Sequence, residues 1–451
     1  MRLLDTNVRF FDQDVTKAQL DNEWGKLVVL LDEVLVNGTD PSPMTVTKVT
    51  EETDYWLATI TTSKPHGYKA LLSVVELSGP ITGLHRVQEI IDKNNFIIAL
   101  PKANKPTTGD GTHKLPPLGY EITNQSGGKR IYASKRPEKN YLRVDDTPPI
   151  PTATNWVKQA RVSIYSDIKT VDDIVVSPGR LKAPYEPGND YGEVVRGTGN
   201  SMVIGWCRWV YKGNSHISYD TDNSAPDSPT KSFYILGDDR TFYMGIQTQI
   251  YDNYSGNFTI YTLNAFGEYT DNVTLDNTYN CMLLAYDKRS TVDYSTSTSN
   301  ENPPNIEVGR IYTRNYHKEY RDILTGCHML NPDGLSNVDI PSSRFNLVGP
   351  IKELSGTNTG ASFNFYNTFV PLVKPHMVQQ GFNYSVFRGT LRGYHWIAAD
   401  VRDYPLRAPK VFDIIENPLE ADKKYLTVNV LQHRERLQSH ANVAFELNNW
   451  E

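Results

Sequence analysis

The sequence predicts an all-β protein, and three observations carry that prediction. Strand formers are abundant: 27 Tyr stand against 15 Phe and 7 Trp, and with Thr, Val and Ile they suit a pleated, half-buried surface. Short runs alternate with period two, most clearly in 44–63 (MTVTKVTEETDYWLATITTS). Turn formers punctuate these runs at roughly ten-residue spacing: Asn37-Gly38, His66-Gly67, Ser78-Gly79-Pro80 and 92–95.

Taken in order, residues 1–22 read as an extended N-terminal arm, polar enough to need a neighbour. Residues 24–36 (WGKLVVLLDEVLV) fit a strand pair or a buried helix, since periodicity cannot arbitrate so short an apolar run. Two strands follow in 44–63, then 68–77 and 85–100. Together, 23–100 is expected to form a small immunoglobulin-like β-sandwich. Residues 101–117 (PKANKPTTGDGTHKLPP) hold four prolines and little apolar content beyond Leu115, so they read as a linker.

Residues 118–451 then form a large β-rich region, divisible into two subdomains. Expected strands are 129–134, 141–144, 157–165, 201–211, 231–236, 241–250, 257–261 and 281–286, with 344–348, 363–373, 384–387 and 425–430 further on. The run MVIGWCRWV at 202–210 is apolar on both phases, as in a strand buried on both faces. The best helical signal, and an ambiguous one, is 311–324. Long polar loops at 182–200, 214–230 and 290–305 suit a chain whose neighbours order them. Internal repeats and heptads are absent, which argues against a fibre stalk.

Composition narrows the function classes. A net charge of −6 without basic clusters disfavours direct nucleic-acid binding. Three distant cysteines, Cys207, Cys281 and Cys327, read as small buried hydrophobes in a reducing cytosol. The N-terminus has no signal-type apolar core, and no run reaches the eighteen or so apolar residues of a membrane helix, so no membrane association is expected.

Catalytic patterns are missing: there is no G-x-S-x-G, P-loop, G-x-G-x-x-G or H-E-x-x-H. Adjacent Cys327 and His328 cannot both face one metal ion comfortably, and no second Cys/His pair has ligand spacing. Asp145-Asp146 and Asp238-Asp239 invite comparison with the paired carboxylates of glycosidases. Adjacent strand residues point to opposite faces, however, so neither pair alone makes a dyad, and turn capping is the simpler role. The aromatic run 363–369 (FNFYNTF) suits core or interface packing better than sugar stacking. No catalytic, cofactor-binding or metal residue is therefore assigned, and no chemistry is expected of Asp146, Asp239 or His395.

Two sets of segments go further. In 71–100, Ser78, Gly79, Gly83, His85, Arg86, Val87, Asn95 and Phe96, preceded by His66-Gly67-Tyr68, resemble a recurrent element of phage structural proteins. The segments 129–146, 160–174, 201–211 and 233–244, with the R-G-x-L-x-G turn of 387–405, resemble an ordered set in uncharacterised virion proteins of tailed bacteriophages. The resemblance spans about residues 65–451 and consists of turn and strand signatures. It implies a non-catalytic structural component of the virion, in the tail, baseplate or head–tail region, assembled in the bacterial cytoplasm. Its expected partners are other virion proteins and further copies of itself in a symmetric ring. A tail adhesin binding a host-surface glycan is the main alternative; a capsid decoration protein or a polysaccharide-degrading tailspike follows.

Overall fold

The structure, a computed structural model, describes residues 5–135, 139–148, 158–165, 168–172, 196–198, 201–203, 207–212, 231–251, 258–271, 280–287, 310–314, 324–330, 372–374, 376–381, 384–397, 411–417, 420–431, 440–448 and 450. These are overwhelmingly strands joined in antiparallel pairs, so the fold is all-β.

The chain opens with β1 (Arg9–Asp12), which pairs antiparallel with the distant strand Phe233–Gly237. Val8, Phe10, Phe11 and Leu20 are buried. The segment expected to be an extended arm in need of a neighbour is thus docked on its own chain. Its polar residues hid the few apolar ones that do the anchoring.

Next comes α1 (Lys26–Leu31), continued by a π-helical turn at Asp32–Asn37. Leu27, Val28, Leu30, Leu31, Val34 and Leu35 are fully buried at helical spacing. Each contributes roughly 1.5–3 kcal/mol on burial, which outweighs the roughly 1 kcal/mol forfeited by an N-terminus whose own Gly25 offers no capping side chain. Of the two readings of 24–36, the helix is the one observed.

A closed six-stranded barrel follows, built from β2 (Ser42–Glu51), β3 (Tyr55–Thr62), β4 (Val74–Ser78), β5 (Gly83–Asp92), β6 (Asn95–Pro101) and β7 (Gly109–Lys114). Around the ring the order is β2-β3-β6-β5-β4-β7. Met44, Val46, Ala58, Ile60, Phe96 and Ile98 are among its buried residues. The expected sandwich is therefore a barrel, and β7 makes the difference. That strand lies inside the stretch taken for a linker, yet it pairs with β2 on one side and β4 on the other. Its sequence GDGTHK buries only His113, so it carries no apolar alternation to reveal it. A side chain at Gly111 would put Cβ 2.1 Å from the Ser78 carbonyl, so the tight closure needs glycine there.

Beyond the barrel, β8 (Tyr120–Ser126), β9 (Lys129–Ser134), β10 (Tyr141–Asp145) and β11 (Lys158–Tyr165) pair in sequence, and β11 continues to the strand Cys207–Lys212. A second run of pairings leads from β1 through Phe233–Gly237, Thr241–Tyr251, Asn264–Glu268, Cys281–Asp287 and Arg310–Arg314 to Leu324–Leu330. Arg310–Arg314 is a strand and Leu324 opens another. The helical signal at 311–324 is therefore overruled at both described ends; Ile311 and Thr313 are buried in the ladder. A C-terminal group pairs Tyr394–Ile397, His440–Glu446, Glu420–Leu431 and Ile414–Asn417.

Two cores result. One joins the barrel interior, α1 and the β8–β11 sheet, from Ile60 and Phe96 through Leu30 to Val144 and Trp209. The other holds Tyr234, Tyr243, Tyr394, Val428, Phe445 and Trp450. Adjacent residues of a strand face opposite ways, and β1 exploits this: Phe11 enters the first core and Phe10 the second. With barrel and sheet sharing one apolar cluster, the barrel is not a tethered unit.

Candidate functional site

A buried polar seam runs between the barrel, the sheets and the two ends of the chain. Arg86, on β5, is almost wholly buried and its guanidinium spends its donors on backbone carbonyls. Nη1 donates to Leu71 O at 2.9 Å, while Nη2 donates to Val8 O at 2.8 Å and to Leu447 O at 3.1 Å; Nε donates to Asp5 O at 2.8 Å. One side chain thus joins the N-terminal segment, the barrel and the last strand. Burial pulls its pKa down to about 10, so it remains a cation at neutral pH. The planar fork of five donors explains why arginine serves here.

A second arginine repeats the device. Arg392, within the R-G-x-L-x-G turn, holds Asp238 through two bonds of 3.0 and 2.8 Å and also donates to the Trp450 carbonyl. Gly393 beside it sits under the Trp450 ring, where a Cβ would come within 2.2 Å of Nε1. Asp238 further accepts the N–H groups of Arg240 and Thr241, both at 2.9 Å, closing the turn between two strands.

The acidic pairs divide as strand geometry requires. Asp145 faces Arg161 at 2.9 Å and Arg143 at 3.2 Å. Burial pushes its carboxyl up, but Arg161, Thr147 and Arg143 outweigh this and hold it below the usual range. Asp146 faces the other way, accepting the Leu27 N–H at 2.9 Å and the Tyr211 hydroxyl at 2.7 Å. It supplies the cap that α1 lacks, from 119 positions away. Burial lifts its pKa to about 7 against the pull of those bonds. Asp239 is exposed, unlike Asp238.

The remaining candidates are placed as follows. His395 packs edge-on against Tyr425, centroids 5.1 Å apart. Cys327 and His328 lie on the strand Leu324–Leu330, opposite Ile311 and Val378. The aromatic run 363–369, the expected strand 344–348 and the polar loops lie outside the described residues, apart from the short strand Arg196–Thr198, which pairs with Ser201–Val203. Cys281 is buried and unbridged. Among the described residues no three His, Cys, Asp or Glu groups are arranged to hold a metal ion. An open groove of about 590 Å³ beside α1 is lined by Lys17, Asp21, Lys26, Val29, Asp32 and Glu33. Its carboxylates are engaged: Asp32 binds Arg130 and the Tyr132 hydroxyl, and Glu33 accepts the N–H groups of Lys17 and Ala18.

No family model matches this chain, and no curated protein matches it. Among the described residues no helix is long and apolar enough to cross a membrane.

Proposed function

We propose that this chain is a structural component of a tailed-phage virion, in the tail, baseplate or head–tail region, acting through protein–protein contacts in a symmetric assembly. The observation that supports this most is the use made of its buried charges. Arg86, Arg392, Asp238 and Asp146 each tie together segments remote in sequence. Such fastenings suit a block that must keep its shape under load from its neighbours. They also give a physical role to Arg86 and to the R-G-x-L-x-G turn, positions on which the resemblance to phage structural proteins rests.

Tyrosines would suit a glycan-stacking surface, but among the described residues they go largely inward. Tyr120, Tyr132, Tyr211, Tyr234, Tyr243, Tyr269, Tyr394 and Tyr425 are all buried. They fill cores instead of presenting a stacking platform.

Cross-linking mass spectrometry on purified particles of the phage that encodes the chain tests the proposal. The expected result is its recovery in the particle at fixed stoichiometry, with cross-links to itself and to other virion proteins. Its absence from washed particles, with the protein free in the lysate, would contradict the reading.

A further inference from the structure

The end of the barrel formed by the start of β2 and the end of β3 is closed by residues 63–73, and two histidines hold that loop. Tyr68 N–H donates to His66 Nδ1 at 2.9 Å. That nitrogen must therefore be unprotonated, which leaves Nε2–H to donate to the Asp92 carbonyl at 3.1 Å. The Tyr68 hydroxyl meets His113 Nδ1, on β7, at 2.5 Å. His66 stacks on Tyr68 with centroids 4.9 Å apart, and Phe96 packs edge-on against both. His66 and His113 are both buried.

The same loop holds the N-terminal segment. Lys69 pairs with Asp12 and Asp14, the latter at 2.8 Å, and Gly67 packs against the Asp14 backbone. Leu71, at φ 61°, is in the left-handed region that a branched side chain rarely adopts. Its N–H reaches the Val87 carbonyl and its own carbonyl is held by Arg86. The loop is thus strained and fastened at several points, and the histidines fasten the end nearest the barrel.

We propose that His66 and His113, packed with Tyr68 at the end of the barrel, form an acid-operated latch whose protonation frees the 63–73 loop and, with it, the N-terminal segment. Protonated His66 has no lone pair on Nδ1 for the Tyr68 N–H, so that bond is lost. A second positive charge on His113 lies inside the barrel, where its ladder neighbours Ser42 and Leu77 carry none. The charged groups around the loop include Asp12 and Asp14, both held by Lys69, Arg86, which donates to the Leu71 and Leu72 carbonyls, and Asp92, whose carboxylate is bound by Asn94 and Asn95. Burial lowers both histidines, His113 to about 4. A lowered histidine contributes stability that is complete above its unfolded pKa, near 6.5, and is lost as pH falls toward the folded value. Asp12 has the opposite sign: burial raises its carboxyl despite Lys69, so acid favours its docked form and does not release it.

Hydrogen exchange on the full chain at about pH 7 and about pH 4.5, corrected for intrinsic rates, tests the latch. Peptides covering 63–73 and 5–20 are expected to lose protection by about tenfold or more at the lower pH, while those covering 158–165 keep theirs. H66N with H113N, which keeps an acceptor at the Nδ1 positions, removes the response; D12N retains it. Unchanged protection at 5–20, a response that survives the double substitution, or one abolished by D12N would overturn the proposal. Should the double variant fail to fold, the wild-type pattern decides: selective loss at the loop and N-terminal segment supports the latch, and uniform loss across the chain refutes it.

Discussion

Arg86 Nη2 donates to the carbonyl of Leu447, joining a barrel strand to the C-terminal strand across 361 positions of sequence. Among the described residues no carboxylate bonds to this guanidinium; its acceptors are carbonyls of the N-terminal segment, the barrel loop and Leu447, just past the last strand. R86L leaves those carbonyls buried without donors, each costing about 1–3 kcal/mol. R86K keeps the charge but cannot span three segments, and should recover less than half of the loss. Denaturant unfolding measures both, and exchange at 5–12 and 440–448 should rise before exchange in β3.

Asp146 makes the helix-to-sheet joint pH-dependent in the opposite sense to the histidines. Its folded pKa, about 7, lies above the ordinary 3.8. The contribution is therefore complete below about pH 4 and is lost as pH rises through 7. D146N keeps one acceptor and removes the titration. Stability of the α1 joint, followed by exchange across 26–35, should then be flat over this window in D146N and fall with rising pH in the natural chain.

Asp238 and Arg392 form a buried bidentate pair, so removing one partner strands the other. D238N or R392M alone should cost about 3–5 kcal/mol. D238L with R392M should cost clearly less than the sum of two single losses. A double-mutant cycle from urea unfolding gives the coupling, and additivity would contradict the pairing.

The strand β7 should protect the lysines beside it. Trypsin acting on the natural chain should not release an N-terminal piece at 102–114, because the barrel is closed through this segment and shares a core with the sheet. G111A forces Cβ against the Ser78 carbonyl and opens the ring. Cleavage after Lys114, which ends β7, should then rise at least several-fold, following the population of the open form.

Where packing followed local alternation, the sequence was readable. β2, β3, β6 and β9 fall within a few residues of where periodicity and turn residues place them. β7 was not, because a strand of Gly, Asp, Thr and Lys that buries one histidine carries no period. The docking of β1 was hidden for another reason: its partner strand lies more than 220 positions away, and two buried phenylalanines in a polar segment do not announce a neighbour. Opposite faces for Asp145 and Asp146 followed from strand geometry alone. The destination of Asp146, the start of α1, did not. Arg86 stood out only through resemblance, since backbone carbonyls leave no trace in side-chain chemistry.

The proposed role requires the barrel, both sheets and both chain ends to form one rigid block that virion neighbours hold by its outer surface. A density map of the intact particle, at a resolution that separates strands, tests this most directly. The predicted result is a symmetric set of copies in the tail, baseplate or head–tail region, each with its barrel seated on the β8–β11 sheet and Arg86 against the last strand. A particle without such density, or one in which the barrel has left the sheet and swings on residues 101–117, would contradict it.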